Sequence, residues 1–434
     1  MKRFNAIVAV LALVLAACGL ADDGATTTTS AEAETPTTEA TTPPEATDTT
    51  TADTQVTEPE AEGPSGDPIV IGAALPLTGE FADTGVFVRD GYQAMVEYWN
   101  ENEGLLGRPV ELIIEDDASD PGQAVSLLEK LITVDGVDLV LGGYPGSSAA
   151  AQMAVAEQHG MVYVSMGGHM ASFEQGFQYS FGAPPLMGQW WYRGFFDFLE
   201  TLPEDARPTS AAMMTANNPV GAAVREGTLS DLEAAGIELV MDELYDLPLA
   251  SAEPLVSQAM NSGADLFIAN SFFPDGVLTI RAVHALGYQP KAILEGIGTL
   301  IPSWEEELGD EGDYVFSGTA MHPDLPFAEV ELLREMSNEL YGTTAPPIYF
   351  MFGATWADTL AQGVEGAGDI DQDAIVGWLK SNEVCSFGGC LTYDERGLPE
   401  PYSYLVQVQD GVPQLVGPGD VTVVDPIYPI PWGE

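Results

Sequence analysis

From residue 69 onward, short apolar runs alternate with amphipathic stretches, and glycine-rich turns divide them. A chain patterned in this way is confined to strands that alternate with helices, hence to parallel sheets covered on both faces. Residues 138–170, DLVLGGYPGSSAAAQMAVAEQHGMVYVSMGGHM, show the unit most fully. Residues 138–141 read as a buried strand. Gly142, Gly143, Pro145 and Gly146 break it into a tight loop. Ser147 and Ser148 then stand at the N-cap of an Ala-rich helix running to Gln158. Gly160 ends that helix, residues 161–165 form a second strand, and a Gly-Gly loop follows. Both loops leave the carboxyl ends of neighbouring strands, where open α/β sheets bind ligands. Two hydroxyls and the free N–H groups of a helix start suit a carboxylate or another polar oxygen. A capped helix between two structural turns accounts for the same residues without a ligand.

The alternation extends on both sides of this unit. Residues 69–74 read as a strand, and a helix over 84–102 carries Phe87, Gly91, Met95 and Tyr98 on one face. A strand over 109–115 leads to Asp120-Pro121, a cap residue followed by proline at the first helical position. Ala124, Leu127, Leu128, Leu131 and Ile132 form the apolar stripe of that helix. Residues 173–185 are irregular and rich in glycine and proline, and the crossing between two lobes is placed here. A helix with Trp190, Trp191, Phe195 and Phe198 follows. The pattern then restarts, with strands over 210–215, 237–244, 265–270 and 291–294 and helices between them. Helices over 329–340 and 348–365, a third near Asp371, and strands over 402–408 and 414–416 close the chain.

The N-terminal 67 residues are of different material. Lys2 and Arg3, an apolar run over 6–15, then Ala16, Ala17 and Cys18 have the layout of an export signal. The run is too short for a permanent membrane span. Leu15-Ala16-Ala17-Cys18 resembles the bacterial lipobox, which implies cleavage before Cys18 and lipid on it. Residues 19–67 are dominated by Thr, Pro, Ala and Glu, without aromatics, and no Lys or Arg occurs between Arg3 and Arg89. Such a segment buries too little apolar surface to offset its ordering entropy and reads as an extended tether. Without Lys2 and Arg3, the 13 basic residues become 11 against 67 acidic ones, so the net charge moves from −54 to −56. That argues against nucleic acid and anionic membrane surfaces as partners. Cys385 and Cys390 bracket Ser-Phe-Gly-Gly, and in an exported chain they are expected to form one local disulfide.

Residues 69–72, the loop from Pro76 to Gly79, Gly91, residues 100–107 and the run Glu115-Asp-Asp-Ala-Ser-Asp-Pro121 together resemble the type I solute-binding proteins. These are the Leu/Ile/Val-binding and amide-binding receptors of ABC importers. The likeness runs from about residue 69 to 416. It implies an α/β fold of two doubly wound parallel-sheet lobes joined by a hinge of crossing strands. The expected divisions are a signal over 1–17, a tether over 18–67, a first lobe over 68–183 and a second over 184–320. Residues 321–434 would complete both lobes and the hinge. The resemblance places the ligand carboxylate on Ser147 or Ser148 and on residues 168–170, and the ligand ammonium on Glu295. Phe272 and Phe273 fall where the family often has tyrosines, and Val220 stands at another position that is often aromatic. Phe81, Thr84, Tyr144, Ser147, Ser148, Gly168, His169, Met170, Val220, Phe272, Phe273 and Glu295 are thus the candidate ligand-binding residues. Fewer hydroxyls and more apolar wall point to a branched-chain or other hydrophobic amino acid, or a related amide.

The implied protein is a monomeric receptor, anchored outside the cell membrane through Cys18, that passes its ligand to a permease and its ATPase subunits. A sensory module of the same fold, coupled to a signalling partner, is the alternative. Enzyme chemistry is not visible. The sequence lacks a Gly-x-Ser-x-Gly elbow and a phosphate-binding Gly-x-x-x-x-Gly-Lys loop. His159, His169, His284 and His322 are scattered. Asp369, Asp371 and Asp373 mimic a calcium loop, but Ala374 and Lys380 occupy the positions of its glycine and closing glutamate. Asp116 and Asp117 fit a strand-end turn better than a catalytic pair. No cofactor or metal is expected.

Overall fold

The computed structural model describes residues 63–166, 170–184, 188–327, 329–419 and 421–433. The expected signal, Cys18 and nearly all of the tether lie outside the described residues, as do Gly168 and His169. Two α/β assemblies follow one another. The first begins with strand β1 (Ile69–Leu75), helix α1 (Ala82–Glu101), β2 (Val110–Asp116) and α2 (Pro121–Lys130). Asp120 caps α2 by accepting from the Gln123 N–H at 2.8 Å, as its sequence signature predicts. Strand β3 (Leu139–Val140), α3 (Gly146–His159) and β4 (Tyr163–Ser165) come next. The sheet order is β2-β1-β3, all parallel, with Ile69 opposite Val110 and Ile71 opposite Leu139.

Three expectations need correction. Helix α3 starts at Gly146 with the extended Pro145 at its cap, so Ser147 and Ser148 lie inside the first turn. Proline, with its fixed φ and no N–H, sets the helix entry before the serines are reached. Residues 173–185 are not wholly irregular, since β5 (Ser180–Gly182) pairs in parallel with β4. The buried stripe of α1 is Val88, Gly91, Tyr92, Met95 and Trp99, while Tyr98 is exposed. The stripe is turned by about one residue because a second helix, not only the sheet, covers it.

The second assembly contains α4 (Arg193–Thr201), β6 (Ser210–Ala216), α5 (Pro219–Ala235), β7 (Glu238–Tyr245), α6 (Glu253–Ser262), β8 (Leu266–Asn270), α7 (Phe273–Leu286), β9 (Ala292–Glu295), α8 (Ser303–Leu308) and β10 (Phe316–Thr319). The chain then returns to the first assembly as α9 (Val330–Tyr341), α10 (Ile348–Ala367) and α11 (Gln372–Leu379). A hairpin of β11 (Val384–Ser386) and β12 (Gly389–Leu391) precedes β13 (Tyr404–Gln409) and β14 (Val412–Gly417). These last two strands join the second sheet antiparallel, in the order β14-β13-β10-β9-β8-β6-β7.

The return is secured by backbone contact. A Cβ on Gly91 of α1 would lie 2.3 Å from the Phe350 carbonyl, and one on Gly353 of α10 would lie 2.3 Å from the Val88 carbonyl. Two 20-residue helices therefore cross at paired glycines, with no room for a side chain at either position. Cys385 and Cys390 face each other across the β11–β12 hairpin and form the expected disulfide. The hairpin sits on the chain segments that join the assemblies. A Cβ on Gly388 would stand 3.6 Å from Met321, 3.6 Å from the Tyr402 hydroxyl and 3.7 Å from Pro184. Tyr402 donates to the Gly388 carbonyl at 2.7 Å, and Gln362 donates to the Cys385 carbonyl at 2.6 Å.

Gly353→Ala should lose about 1–3 kcal/mol in urea denaturation, because the added methyl meets backbone that cannot move aside. Gly377→Ala, where no atom lies within 4 Å, should lose nothing. Thiol alkylation of the unfolded, unreduced protein should find Cys385 and Cys390 blocked. Replacing both by serine should lower stability by about 2 kcal/mol through the unfolded chain.

Candidate functional site

The site is built where the carboxyl ends of β1 and β3 meet those of β8 and β9. Its first wall depends on Asp116 at the end of β2. One Asp116 oxygen accepts from the N–H groups of Leu77, Thr78 and Ala118 at 3.0, 3.1 and 2.8 Å. The other accepts from the Thr78 hydroxyl at 2.7 Å. Desolvation works against the charge, yet the Thr78 hydroxyl and these backbone donors outweigh it and hold the carboxyl below its ordinary range. Ser119 adds a bond to the Thr78 carbonyl and accepts from the Phe81 N–H. Asp116 is thus a knot that fixes the β1–α1 loop, as a strand-end turn should be. Its neighbour Asp117 is fully buried, bonded to the Ser119 N–H, and pushed up to about 6, first by burial.

The knot presents Phe81 to the second assembly. The Phe81 ring lies 5.0 Å from Phe272, which precedes α7. It also meets Tyr144 edge-on at 6.4 Å, and Tyr144 meets Tyr349 of α10 at 5.3 Å. Of the expected residues, Phe81, Tyr144 and Phe272 are therefore in one ring cluster. Thr84 lies beneath it, buried, with its hydroxyl donating to the Phe81 carbonyl. Val220 lines a small pocket with Trp191, Phe272 and Ile297. Ser148 is buried and its hydroxyl has no partner, whereas Ser147 is half-buried. Phe273 is half-buried at the start of α7 and makes no ring contact with the cluster among the described residues. Met170 lines a separate groove with Glu174, Gln189 and Trp190.

Glu295 ends β9 and is fully buried. One carboxyl oxygen accepts from the Ser271 hydroxyl at 2.5 Å and the other from the Thr299 N–H at 3.2 Å. Burial pushes the carboxyl up to about 8. The donors Ser271, Thr299 and Gly296 oppose that rise, and the nearby Asp275 adds to it. Asp275 is itself buried and raised, first by burial. Among the described residues, the main groups acting on either acid include no cation. The site therefore brings two buried acids within electrostatic reach of each other, an arrangement that favours a proton or a cation.

Polar atoms around the junction are also left open. The side-chain oxygens of Tyr144, Ser148, Thr299 and Tyr349, and the Oδ1 of Asn270, are buried without a hydrogen-bond partner. In a folded interior such atoms are few and call for an explanation. Asn270, Ser271, Thr299 and Tyr349 were not foreseen. The Asn270-Ser271 pair at a strand end offered a signal, but nothing around Tyr349 tells that α10 returns to the first sheet. Among the described residues, the metal-type side chains drawn together are Glu383, Cys385 and Cys390, and the two cysteines are bonded to each other.

A family model described as "Periplasmic binding protein" matches residues 68–412. The chain is 23% identical over 343 residues to Leu/Ile/Val-binding protein homolog 1 of Brucella abortus, covering 78% of this chain and 89% of that one. Its fold is similar to that of the branched-chain amino acid transporter substrate-binding protein LivJ of Streptococcus pneumoniae, solved with isoleucine. That match has a TM-score of 0.72 and 15% identity, over 84% of this chain and 100% of the other. A solute-binding protein of an ABC transporter from R. palustris, solved with benzoate, matches with a TM-score of 0.70 and 18% identity, over 81% and 96%.

The raised Glu295 has a definite consequence for stability. Its ordinary value is 4.5, so between that value and about 8 the folded chain holds a proton that the unfolded chain has released. Stability from this group is therefore present below that window and is lost as pH rises through it, by at most about 1.4 kcal/mol per pH unit. Glu295→Gln, which mimics the protonated form, should flatten this part of the curve when urea denaturation is compared at several pH values. An identical slope in both proteins would show that Glu295 titrates normally.

Proposed function

We propose that this chain, which belongs to the periplasmic binding protein family, captures a small amine-bearing solute between its two assemblies. The family consists of solute-binding proteins, not enzymes, and the same holds for this chain. The observation that carries the proposal is the pair of buried acids, Glu295 and Asp275, with no cation among the main described groups acting on them. An ammonium group placed there would take up the charge that burial now suppresses. The open Ser148 hydroxyl at the first turn of α3, beside a helix N-terminus, suits the carboxylate of an amino acid. Phe81, Phe272, Val220 and Ile297 supply apolar wall for its side chain. Each assembly then grips one charged end, and the two close on the ligand about the crossing segments.

In this reading the export signal and the lipid on Cys18 hold the receptor on the outer face of the cell membrane, with residues 18–67 as tether. The loaded receptor passes its ligand to an ABC permease. Mass spectrometry of the native N-terminus tests the anchor, since an unmodified start elsewhere excludes it.

The binding test is a calorimetric titration of amino acids, small amides and aromatic carboxylates. For an amine ligand, binding must expel the Glu295 proton. Affinity should then rise as pH increases toward about 8, by at most about tenfold per unit. Glu295→Gln should weaken an amine ligand by roughly 2–5 kcal/mol and remove that pH dependence. Equal affinity in the variant would take Glu295 out of the site. A best ligand without an amine would replace the amino-acid reading with a neutral or acidic solute.

A further inference from the structure

The Tyr144–Tyr349 contact joins two distant parts of the chain. Tyr144 leaves β3 and Tyr349 opens α10, and their rings meet at 5.3 Å with an interplanar angle of 73°. Both are about 1% exposed. Their hydroxyls and that of Thr84 converge within reach of weak hydrogen bonds, Tyr144 to both Thr84 and Tyr349. Neither tyrosine oxygen, however, closes a hydrogen bond of ordinary geometry. The Thr84 hydroxyl hydrogen is committed to the Phe81 carbonyl at 3.0 Å. Tyr349 also feels the charge of Glu295, which belongs to the opposite assembly. Through Phe81, which meets both Tyr144 and Phe272, the pair joins the rings of the opposite assembly. Burial drives both phenols upward, so each stays protonated and keeps one donor and one acceptor. Phenylalanine at both positions would fill the same volume without two open hydroxyls.

We propose that the Tyr144 and Tyr349 hydroxyls form a polar subsite that reads a hydroxyl on the ligand's side chain, so that the receptor selects a hydroxylated solute over its hydrocarbon counterpart. This rests on the reading of the junction as the ligand site and narrows it. The apolar wall of Phe81 and Phe272 holds the body of the side chain. The hydroxyl pair receives its end, donating one hydrogen bond and accepting another. A ligand lacking the hydroxyl leaves both phenols unpaired, and such a site discriminates against it more strongly than a hydrocarbon pocket discriminates by size.

Matched pairs supply the test: tyrosine with phenylalanine, threonine with valine, and 4-hydroxybenzoate with benzoate. Each is titrated calorimetrically into the wild type, Tyr144→Phe and Tyr349→Phe. The wild type is expected to prefer the hydroxylated member of the best-bound pair by about 10- to 100-fold. Either variant should reduce that preference to within about threefold, while affinity for the hydrocarbon member holds or improves. Equal wild-type affinity for both members of every bound pair overturns the inference and leaves the receptor reading intact. An equal loss for both members in the variants also overturns it, by placing the hydroxyls on the ligand's common part. If the variants lose stability but keep their selectivity, the phenols serve only each other. No binding by any of the six overturns both readings.

Discussion

The crossing of α1 and α10 at Gly91 and Gly353 is the contact on which the rest of the molecule depends. Glycine at both positions lets the two helix backbones touch, which places α10 deep in the first assembly with fifteen of its residues buried. The segment that forms α10 comes after the whole second assembly in the chain. Docking it on α1 obliges the chain to leave the second sheet after β10 and return to it at β13. The two assemblies are therefore linked by several segments rather than one. The disulfide hairpin rests on residues from three of those links, Pro184, Met321 and Tyr402. The same docking brings Tyr349 to Tyr144.

The junction differs from a core in what it leaves unfinished. Asp116 shows how this protein treats an acid that has only a structural task. Backbone N–H groups and a hydroxyl surround it and keep it charged. Glu295 and Asp275 are treated otherwise. They are buried beside each other, and their hydrogen bonds do not outweigh the loss of solvent. Thr299, whose N–H bonds Glu295, keeps an open hydroxyl beside it. A chain selected for stability alone would replace such groups by apolar ones of similar volume. Buried acids of raised pKa beside rings contributed by both assemblies are the physical signature of a site completed from outside.

The charge of the chain acts at a different level. With 67 acidic and 13 basic residues, few acids have a cation available, and those that matter are held by hydrogen-bond donors. Asp120 and Asp371 cap helices through backbone N–H groups, and Asp265 combines two backbone donors with Lys291. Paired acids in such a sequence say little by themselves. The Asp116-Asp117 pair resolves into a loop knot and a buried neighbour, and Asp371 into a helix cap.

By itself the sequence determined the alternation of strands and helices, the proline- and aspartate-marked helix start at Asp120, the glycine-ended helix at Gly160, and the disulfide. These are local matters, set by backbone sterics and by hydrogen bonds within a few residues. The resemblance to type I solute-binding proteins brought Phe81, Tyr144, Phe272 and Glu295 forward as candidates. Only the tertiary structure decided which of them share a place. The parallel β4–β5 pair and the one-residue turn of the α1 stripe depend on neighbours outside their own segments. Tyr349 could not be assigned to the site from its own segment. Its position follows from two glycines more than 250 residues apart in the chain, and close packing of that kind leaves no periodic mark in a sequence.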